Sequence, residues 1–418
     1  MIQLSMLRLV PALILAAAFA SASPYGISVP PGEKATLTAQ IPAVRYFPSW
    51  ETLQPSPGKW NTQPADDLIA AAKKSGTQVF GILHQPSGAD AKPLIDDKEA
   101  WRTYVATLAS RYAKDLTHWE VLPSYPVTDR TPDGPYHYAQ LLTIARETAK
   151  VANPDAHIGF SIPNYDLEFF DRALRDGAEG QFDYISIASF PVAEDTDSLF
   201  LSILPRLRNI LADYGMNQEM PIHLSLTGSP NAAEYYAQLA AENGYARVFL
   251  PSEGMFPSNP DKLEIPVKNT TSAETVATTL GEKNSYDGLY LLNPSSMPYD
   301  TELKATRLPI TAQPPVTRAA FFAPEFEIGK NLEITVTAKR LPSETGTEHP
   351  TGFAITYESI HGIRNHETWW TVPGGDGWQT HTWTISDADF TGKYAWNFRL
   401  DASGAGNDLL IRSVSVTK

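Results

Sequence analysis

Cysteine is absent from this chain of 418 residues, which excludes disulfides, thiolate nucleophiles and cysteine-ligated metals. The sequence also lacks the H-x-H and H-E-x-x-H spacings typical of zinc sites, so it predicts no metal centre. It contains neither a G-x-S-x-G nucleophile turn nor a glycine-rich phosphate loop after a strand. These absences remove several classes of hydrolase and nucleotide-binding protein from consideration.

Positive charge is scarce. The 33 Lys and Arg residues are outnumbered by 47 Asp and Glu residues, which gives a formal net charge of −14. Nucleic acids and anionic membranes favour basic surfaces, so neither is an expected partner. A neutral polysaccharide or oligosaccharide fits this composition better, because 18 Tyr, 17 Phe and 9 Trp residues can supply rings that stack on sugars.

Long apolar runs are also missing, except near the start of the chain. Residues 9–19 are apolar, Arg8 precedes them, and the small residues 20–22 follow. This layout predicts a secretory signal peptide over residues 1–22, and the run is too short to span a bilayer comfortably. We therefore expect an exported protein, secreted, periplasmic or on the cell surface, with no membrane span.

Tryptophan is missing between Glu120 and Thr368, although the segments on either side contain all nine. The split suggests two modules, which suits the length that remains after a signal peptide. We place the first module at residues 23–315 and the second at residues 316–418.

In the first module, short apolar segments alternate with amphipathic ones, which indicates strand–helix units around a parallel sheet. Eight strands are predicted, a number that favours a closed (β/α)8 TIM barrel. An open doubly wound sheet is the alternative, because the first strand is weak and residues 30–40 make a poor first helix. The predicted strands lie at residues 25–29, 43–47, 77–84, 117–122, 157–162, 182–190, 221–226 and 247–250.

The pattern changes after Leu250. Residues 251–315 either complete the last barrel unit or form a small accessory β segment, and residues 310–320 read as a linker or a first strand. From residue 316 onward, short alternating segments separated by glycine-rich turns predict an all-β sandwich of jelly-roll type. The predicted strands lie at residues 331–340, 352–360, 368–373, 379–386, 394–402 and 409–418.

Several phrases of the first module resemble the clan-A glycoside hydrolases, barrels that cleave glycosidic bonds with two glutamates. VRYFPSWETLQPSPGKWN, residues 44–61, is similar to their second-strand phrase, in which an arginine ends the strand. AWRTYVATLASRYAKDLTHWEV, residues 100–121, is similar to the helix and strand that lead to their catalytic acid. The resemblance covers roughly residues 40–230. The C-terminal part resembles, in general style, the carbohydrate-binding sandwiches that accompany such barrels.

The resemblance implies carboxyls at the ends of strands four and seven, and both are missing. Aligning WEVLPS on the family phrase W-E-x-W-N-E places Ser124 where the acid would stand. Aligning PIHLSLTG on P-x-W-x-T-E-x-G places Leu226 where the nucleophile would stand. Glycoside hydrolysis needs a proton donor and a nucleophile or base. The sequence therefore predicts no catalytic residues at these positions.

Other residues of the barrel remain candidates for sugar binding. The resemblance places Arg45 where the family's arginine orients the nucleophile, and pairing of Arg45 with Glu120 is the favoured alternative. Trp50 could stack on a sugar or pack against the turn at Trp60. His84 ends a strand at the face where such barrels carry their sites. The candidate substrate-binding residues of the barrel are Arg45, Trp50, Glu51, His84, Glu120, Ser124, Tyr125, Asp129 and Asn164.

The predicted sandwich adds candidates of its own. Adjacent Trp369 and Trp370 would face opposite sides of a strand, so one of them together with Trp378 could form a sugar-stacking platform. The alternative is that all three rings fill the core. No cofactor is expected, apart from a structural calcium that acids such as Asp387, Asp389 and Asp408 could hold.

Three hypotheses follow for the function. The first is an exported glycosidase-like protein that has lost hydrolysis and binds carbohydrate. The second is an active glycosidase that uses displaced carboxylates, Asp129 or Glu194 with Glu253. The third is a cell-envelope or assembly protein in which the barrel is only a scaffold, with a plugged cleft and an exposed apolar patch elsewhere.

Overall fold

The computed structural model describes residues 23–30, 33, 37–38, 41–87, 93–125, 131–192, 196–252, 273–292, 294–312, 315–324, 331–343 and 349–418. The predicted signal peptide lies outside these ranges. Within them, no helix combines the length and apolar character needed to cross a membrane.

The first module is a closed barrel of eight parallel strands in sequence order, each paired with the next and β1 with β8. This confirms the predicted barrel, including its weak first strand, and excludes the open sheet. The strands are β1 Tyr25–Ser28, β2 Ala43–Arg45, β3 Gln78–Leu83, β4 His118–Val121, β5 His157–Pro163, β6 Tyr184–Pro191, β7 Ile222–Thr227 and β8 Arg247–Pro251.

The predicted helices connect these strands. They bury apolar residues that recur at three- and four-residue spacing, such as Leu68, Ile69 and Ala72. No helix is described between β1 and β2 in the residues that the structure covers there. The helices are α1 Trp50–Leu53, α2 Gln63–Ser75, α3 Lys98–Arg111, α4 Gly134–Ala152, α5 Leu167–Ala173, α6 Asp197–Asp213 and α7 Pro230–Glu242.

Rings fill the barrel near the amino ends of its strands. Phe80 of β3 lies 5.2 Å from Phe249 of β8 and 5.2 Å from His223 of β7, measured between ring centroids. Strands so far apart in the sheet can touch only across the interior. Tyr184 of β6 also lies there, and a Cβ atom on Gly159 would come within 2.3 Å of its ring. The interior of the barrel is therefore filled by side chains near the amino ends of these strands.

The second module consists of two antiparallel sheets around a separate apolar core, which confirms the predicted β-sandwich. One sheet contains β9 Thr275–Thr279, β10 Ser285–Asp287, β12 Tyr299–Asp300, β13 Ala305–Leu308, β15 Leu332–Arg340, β19 Gln379–Ile385 and β21 Leu409–Thr417. The other contains β11 Tyr290–Leu291, β14 Arg318–Phe322, β16 Gly352–Ser359, β17 Gly362–Asn365, β18 Trp370–Thr371 and β20 Phe398–Asp401.

Strand pairing joins residues 275–308 to these two sheets. Thr278 of β9 lies opposite Val414 of β21, and Arg307 of β13 lies opposite Leu410. The segment that the sequence left unassigned is thus built into the sandwich, and the boundary expected at residue 315 falls between strands of the same two sheets.

Side chains tie the sandwich to the barrel. Trp396 and Phe322, from the sandwich half of the chain, belong to the apolar core of the barrel. Arg399 pairs with Glu168 at 2.5 Å, and Lys393 pairs with Asp213 at 2.9 Å. The two modules are therefore joined by apolar packing as well as by ion pairs.

Candidate functional site

A cavity of about 250 Å³ lies at the carboxyl ends of the barrel strands. Side chains from β2, β3 and β7 line it together with residues that directly follow β1, β4 and β8. This is the end where barrels of this kind carry their binding and catalytic groups. The described lining residues are Ser28, Val29, Pro30, Arg45, Ile82, His84, Pro123, Ser124, Ser189, Leu226, Thr227, Pro251 and Ser252.

Glu120 and Arg45 form a buried ion pair at the base of this cavity. Arg45 donates from Nε to Glu120 Oε2 at 2.6 Å and from Nη2 to Oε1 at 2.7 Å. Ser161 Oγ adds a third donor to Oε1 at 2.9 Å, while Arg45 Nη1 donates to Ser28 Oγ at 3.0 Å. Both oxygens of Glu120 are thus occupied, and its side chain is only 2% exposed. The structural pairing favoured from the sequence is the arrangement found.

His84 presents a neutral imidazole to the cavity. Its Nε2 lies 3.0 Å from the carbonyl oxygen of Phe47, which can only accept, so Nε2 carries the proton. Burial lowers the pKa of His84 to about 4, and the nearby Arg45 adds to this effect. His84 is therefore uncharged at neutral pH.

The two positions where the resemblance implies catalytic glutamates both lie at this cavity. Ser124 follows β4 and is exposed, and Leu226 stands near the end of β7. Neither side chain can ionise in the relevant range or deliver a proton as a carboxyl does. None of the described lining residues is Asp or Glu.

Three other candidates that the sequence predicts at the barrel mouth do not line this cavity. Trp50 is buried, and its ring stacks on Tyr104 with centroids 3.9 Å apart, so its role is structural. Glu51 accepts a hydrogen bond from the backbone amide of Ser87. Tyr125 is 4% exposed and packs against the ring of Tyr138. None of these three lines the described cavity wall.

Asn164 is exposed at the end of β5 in the left-handed region, at φ 54°, and its amide donates to Ala188 O. It is also absent from the cavity lining. Asp129, Glu194 and Glu253 lie outside the described residues, so the displaced-carboxylate hypothesis falls on parts of the chain without described geometry.

Sequence inspection missed most of the hydroxyl groups that line the cavity. Ser28, Ser189, Thr227 and Ser252 all stand at or just after the ends of barrel strands. Ser189 lies at φ 64° where the pairing of β6 with β7 shifts register, and such irregularities redirect side chains. Strand-end position was the available signal for the other three, whereas nothing in the sequence marks the irregularity at Ser189.

The tryptophans of the sandwich divide between core and surface. Trp383 is buried, whereas Trp369 is 37% exposed. Trp370 is half-buried and stacks on His381 with centroids 5.2 Å apart. Trp378 is also half-buried, and the guanidinium of Arg412 lies 4.1 Å from its ring centroid. Trp369 therefore presents the most open ring of the three candidates.

Two of the three acids considered for calcium have protein partners. Asp408 accepts from Arg307 Nε at 2.6 Å and from the Thr311 amide at 2.7 Å. Asp387 accepts from Arg364 and from the hydroxyl of Tyr357. Arginines thus neutralise both carboxylates, which does not suit a calcium ion. Among the described residues, no cluster of three or more His, Asp or Glu could hold a metal.

The fold and the cavity define a class: a (β/α)8-barrel protein with a cavity at its carboxyl face and a joined β-sandwich. Among solved structures, the chain is similar to a family 39 glycoside hydrolase from Bacteroides cellulosilyticus WH2, with 13% identity, 93% of this chain and 81% of that chain covered, and TM-score 0.44. It is similar to a glucosidase from Croceicoccus marinus, with 12% identity, 94% and 95% covered, and TM-score 0.41.

A GH10 xylanase from Thermobacillus composti is similar to the chain at 15% identity, with 55% of this chain and 83% of that chain covered and TM-score 0.38. No family model and no curated protein matches the chain. The assignment of the barrel rests on its own strand pairing.

Proposed function

We propose that this protein binds carbohydrate at the mouth of its barrel and does not hydrolyse it. The observation that carries the proposal is the cavity wall, in which hydroxyl groups and a neutral His84 replace carboxylates, above a Glu120 that Arg45 already neutralises. The sequence resemblance to clan-A glycoside hydrolases points to the same class of ligand.

The chemistry of glycoside cleavage explains why we expect no hydrolysis. Two carboxyl groups must flank the scissile bond, about 5–10 Å apart, as proton donor and as nucleophile or base. Ser124 and Leu226 occupy the two implied positions. Glu120 is a poor substitute, because Arg45 and Ser161 occupy both of its oxygens.

The same wall suits recognition of a sugar. The hydroxyls of Ser124 and Ser189 can donate or accept, as sugar hydroxyls can. The Thr227 hydroxyl donates to Phe190 O at 3.2 Å and can accept from a ligand. The unprotonated nitrogen of His84 is an acceptor, and Ile82 and Leu226 supply apolar surface. A cavity of this size accommodates about one or two sugar rings, smaller than typical drug-sized pockets.

Two further elements belong to the proposal. Export through residues 1–22 would bring the protein to extracellular or envelope glycans. On the sandwich, the exposed ring of Trp369 would offer a stacking surface for a second part of the same polysaccharide.

The alternative is an active glycosidase that uses displaced carboxylates, Asp129 or Glu194 with Glu253. The scaffold hypothesis predicted a cleft plugged by side chains, and the cavity at the mouth does not support it.

The test begins with a glycan array on the full chain, followed by calorimetric titration with the best ligand. Ser124→Trp fills the mouth and should weaken binding at least about tenfold, or ~1.4 kcal/mol. Thr103→Trp, an equally exposed position on α3, is the matched control and should leave binding unchanged. Binding that Ser124→Trp leaves intact would place the ligand elsewhere and contradict the proposal.

A further inference from the structure

The largest described cavity is not at the barrel mouth. It lies in the cleft between the barrel and the sandwich and has a volume of about 570 Å³, more than twice that of the mouth cavity. Pockets that enclose small molecules measure about 300–1,000 Å³. Both modules contribute to its walls, so it exists only because they are joined.

The barrel wall is the beginning of α5. Asp166 caps this helix, because its Oδ1 accepts from the Phe169 amide at 3.0 Å, and its side chain is exposed in the cleft. Arg172, six residues further along the chain, donates to the carbonyl of Pro132.

The sandwich wall holds two arginines in fixed positions. Arg399 of β20 pairs with Glu168 at 2.5 Å and lies 3.9 Å above the ring of Trp396. Arg318 of β14 pairs with Asp401 at 2.9 Å. Ion pairing and stacking restrict the guanidinium of Arg399 before any ligand arrives, so little of its conformational entropy is lost on binding.

The charges around the cleft are balanced. Three arginines, Arg172, Arg318 and Arg399, stand with three carboxylates, those of Asp166, Glu168 and Asp401. The carboxylates would repel a strongly anionic ligand, and the arginines would repel a cation. A neutral ligand with many hydroxyls can use both, because carboxylates accept and guanidinium groups donate charge-assisted hydrogen bonds.

The remaining lining suits the same ligand. Thr131, Thr317 and Ser403 bring hydroxyl groups, and Pro135 and Pro315 bring compact apolar faces. A sugar ring presents hydroxyl edges and apolar C–H faces, which such a mixed wall can match.

We propose that this cleft between barrel and sandwich is a second binding site for a neutral oligosaccharide, independent of the barrel mouth. Asp166 and Arg172 form hydrogen bonds with sugar hydroxyls from the barrel side. Arg318 and Arg399 form them from the sandwich side. The site goes beyond the proposed mouth site, and a single glycan chain need not occupy both.

The experiment titrates the full chain with cellohexaose, xylohexaose and laminarihexaose in a calorimeter, with an oligogalacturonate of equal length as an anionic control. Asp166→Asn removes the charge and retains a capping oxygen, so the helix should stay intact. Ser403→Trp fills the cleft, Ser124→Trp fills the barrel mouth, and Ser386→Trp, at an exposed position after β19, is the matched control.

We expect at least one neutral hexasaccharide to bind, with its affinity at the cleft lowered about tenfold or more by Asp166→Asn and by Ser403→Trp. Binding at the cleft should persist in Ser124→Trp and in Ser386→Trp. Binding that Ser124→Trp abolishes and Ser403→Trp leaves unchanged would overturn the cleft site while supporting the mouth site. Binding of the galacturonate alone, or of no probe, would also overturn it.

Discussion

The Arg45–Glu120 pair offers the sharpest quantitative prediction. Glu120→Gln removes the negative charge with almost no change of shape, so Arg45, 7% exposed, keeps its positive charge without a counter-ion. Breaking one side of a buried ion pair costs about 3–5 kcal/mol, because the remaining charge is desolvated and uncompensated. Gln retains one oxygen acceptor for the guanidinium. We therefore expect a loss near the lower end, about 3 kcal/mol in the free energy of unfolding.

The double variant separates the pair from its individual members. Arg45→Met with Glu120→Leu removes both charges and replaces them with apolar side chains. Such replacements are typically neutral or stabilising, so the double variant should be more stable than either single variant by at least about 2 kcal/mol. Ser161, which donates to Glu120 Oε1, loses its acceptor in this variant and limits the recovery.

The assay is urea unfolding followed by tryptophan fluorescence, since Trp119 neighbours Glu120 on β4. Lys73→Ala is the control, because Lys73 is 63% exposed where it pairs with Asp115. Exposed pairs contribute about 0–1 kcal/mol. If Glu120→Gln shifts stability no more than Lys73→Ala does, then Arg45 does not hold Glu120 as described, and Glu120 would be available for chemistry at the mouth.

Three further predictions concern titration and packing. Burial raises the pKa of Glu358 to about 7, so the folded state keeps a proton that the unfolded state releases. The free energy of unfolding should therefore fall by up to about 3 kcal/mol as pH rises from ~4.5 to ~7. Glu358→Gln should abolish this contribution in urea midpoints measured at pH 5 and pH 8, and an unchanged difference between the two midpoints would contradict the prediction. Because burial lowers the pKa of His84 to about 4, its imidazole resonances should not titrate by NMR between pH 5.5 and 8. Its contribution to the free energy of unfolding, complete above about pH 6.5, should decline as pH falls towards 4. Titration near pH 6.5 would show a solvated ring and contradict the prediction. Gly159→Ala places a Cβ 2.3 Å from Tyr184 and should destabilise the barrel by about 1–3 kcal/mol. Gly58→Ala is the comparison, because its Cβ meets nothing within 4 Å while its backbone lies at φ 75°. It therefore measures the cost of backbone strain alone.

The sequence was sufficient for the barrel because its strands are short, apolar and separated by amphipathic helices. All eight predicted segments overlap the observed strands, since buried parallel strands leave an unbroken apolar signature. The pairing of Arg45 with Glu120 could also be expected, because two charges that face the barrel interior from β2 and β4 need each other.

The sandwich was harder to predict where its strands are very short. The strands β10 to β12 have two or three residues each, too few to show alternation. β17 is exposed along its whole length, so it carries no apolar face to detect. The cleft between the modules could not be predicted at all, because its walls combine residues such as Arg172 and Arg399 from segments more than two hundred positions apart.

Local patterns also failed to separate stacking rings from packed ones. Trp50 stands in a phrase that resembles a substrate loop, yet its ring packs flat on Tyr104, a contact with a different helix. Tyr125 likewise turns inward against Tyr138. Exposure of a ring depends on tertiary neighbours, which sequence spacing does not specify.

Binding without hydrolysis is tested most directly by measuring the release of reducing sugar from any glycan that the full chain binds. We expect measurable binding with no release above a buffer blank after prolonged incubation, both for the wild type and for a triple variant with Asp129→Asn, Glu194→Gln and Glu253→Gln. Sugar release by the wild type that the triple variant loses would contradict it and would establish an active glycosidase with displaced carboxylates.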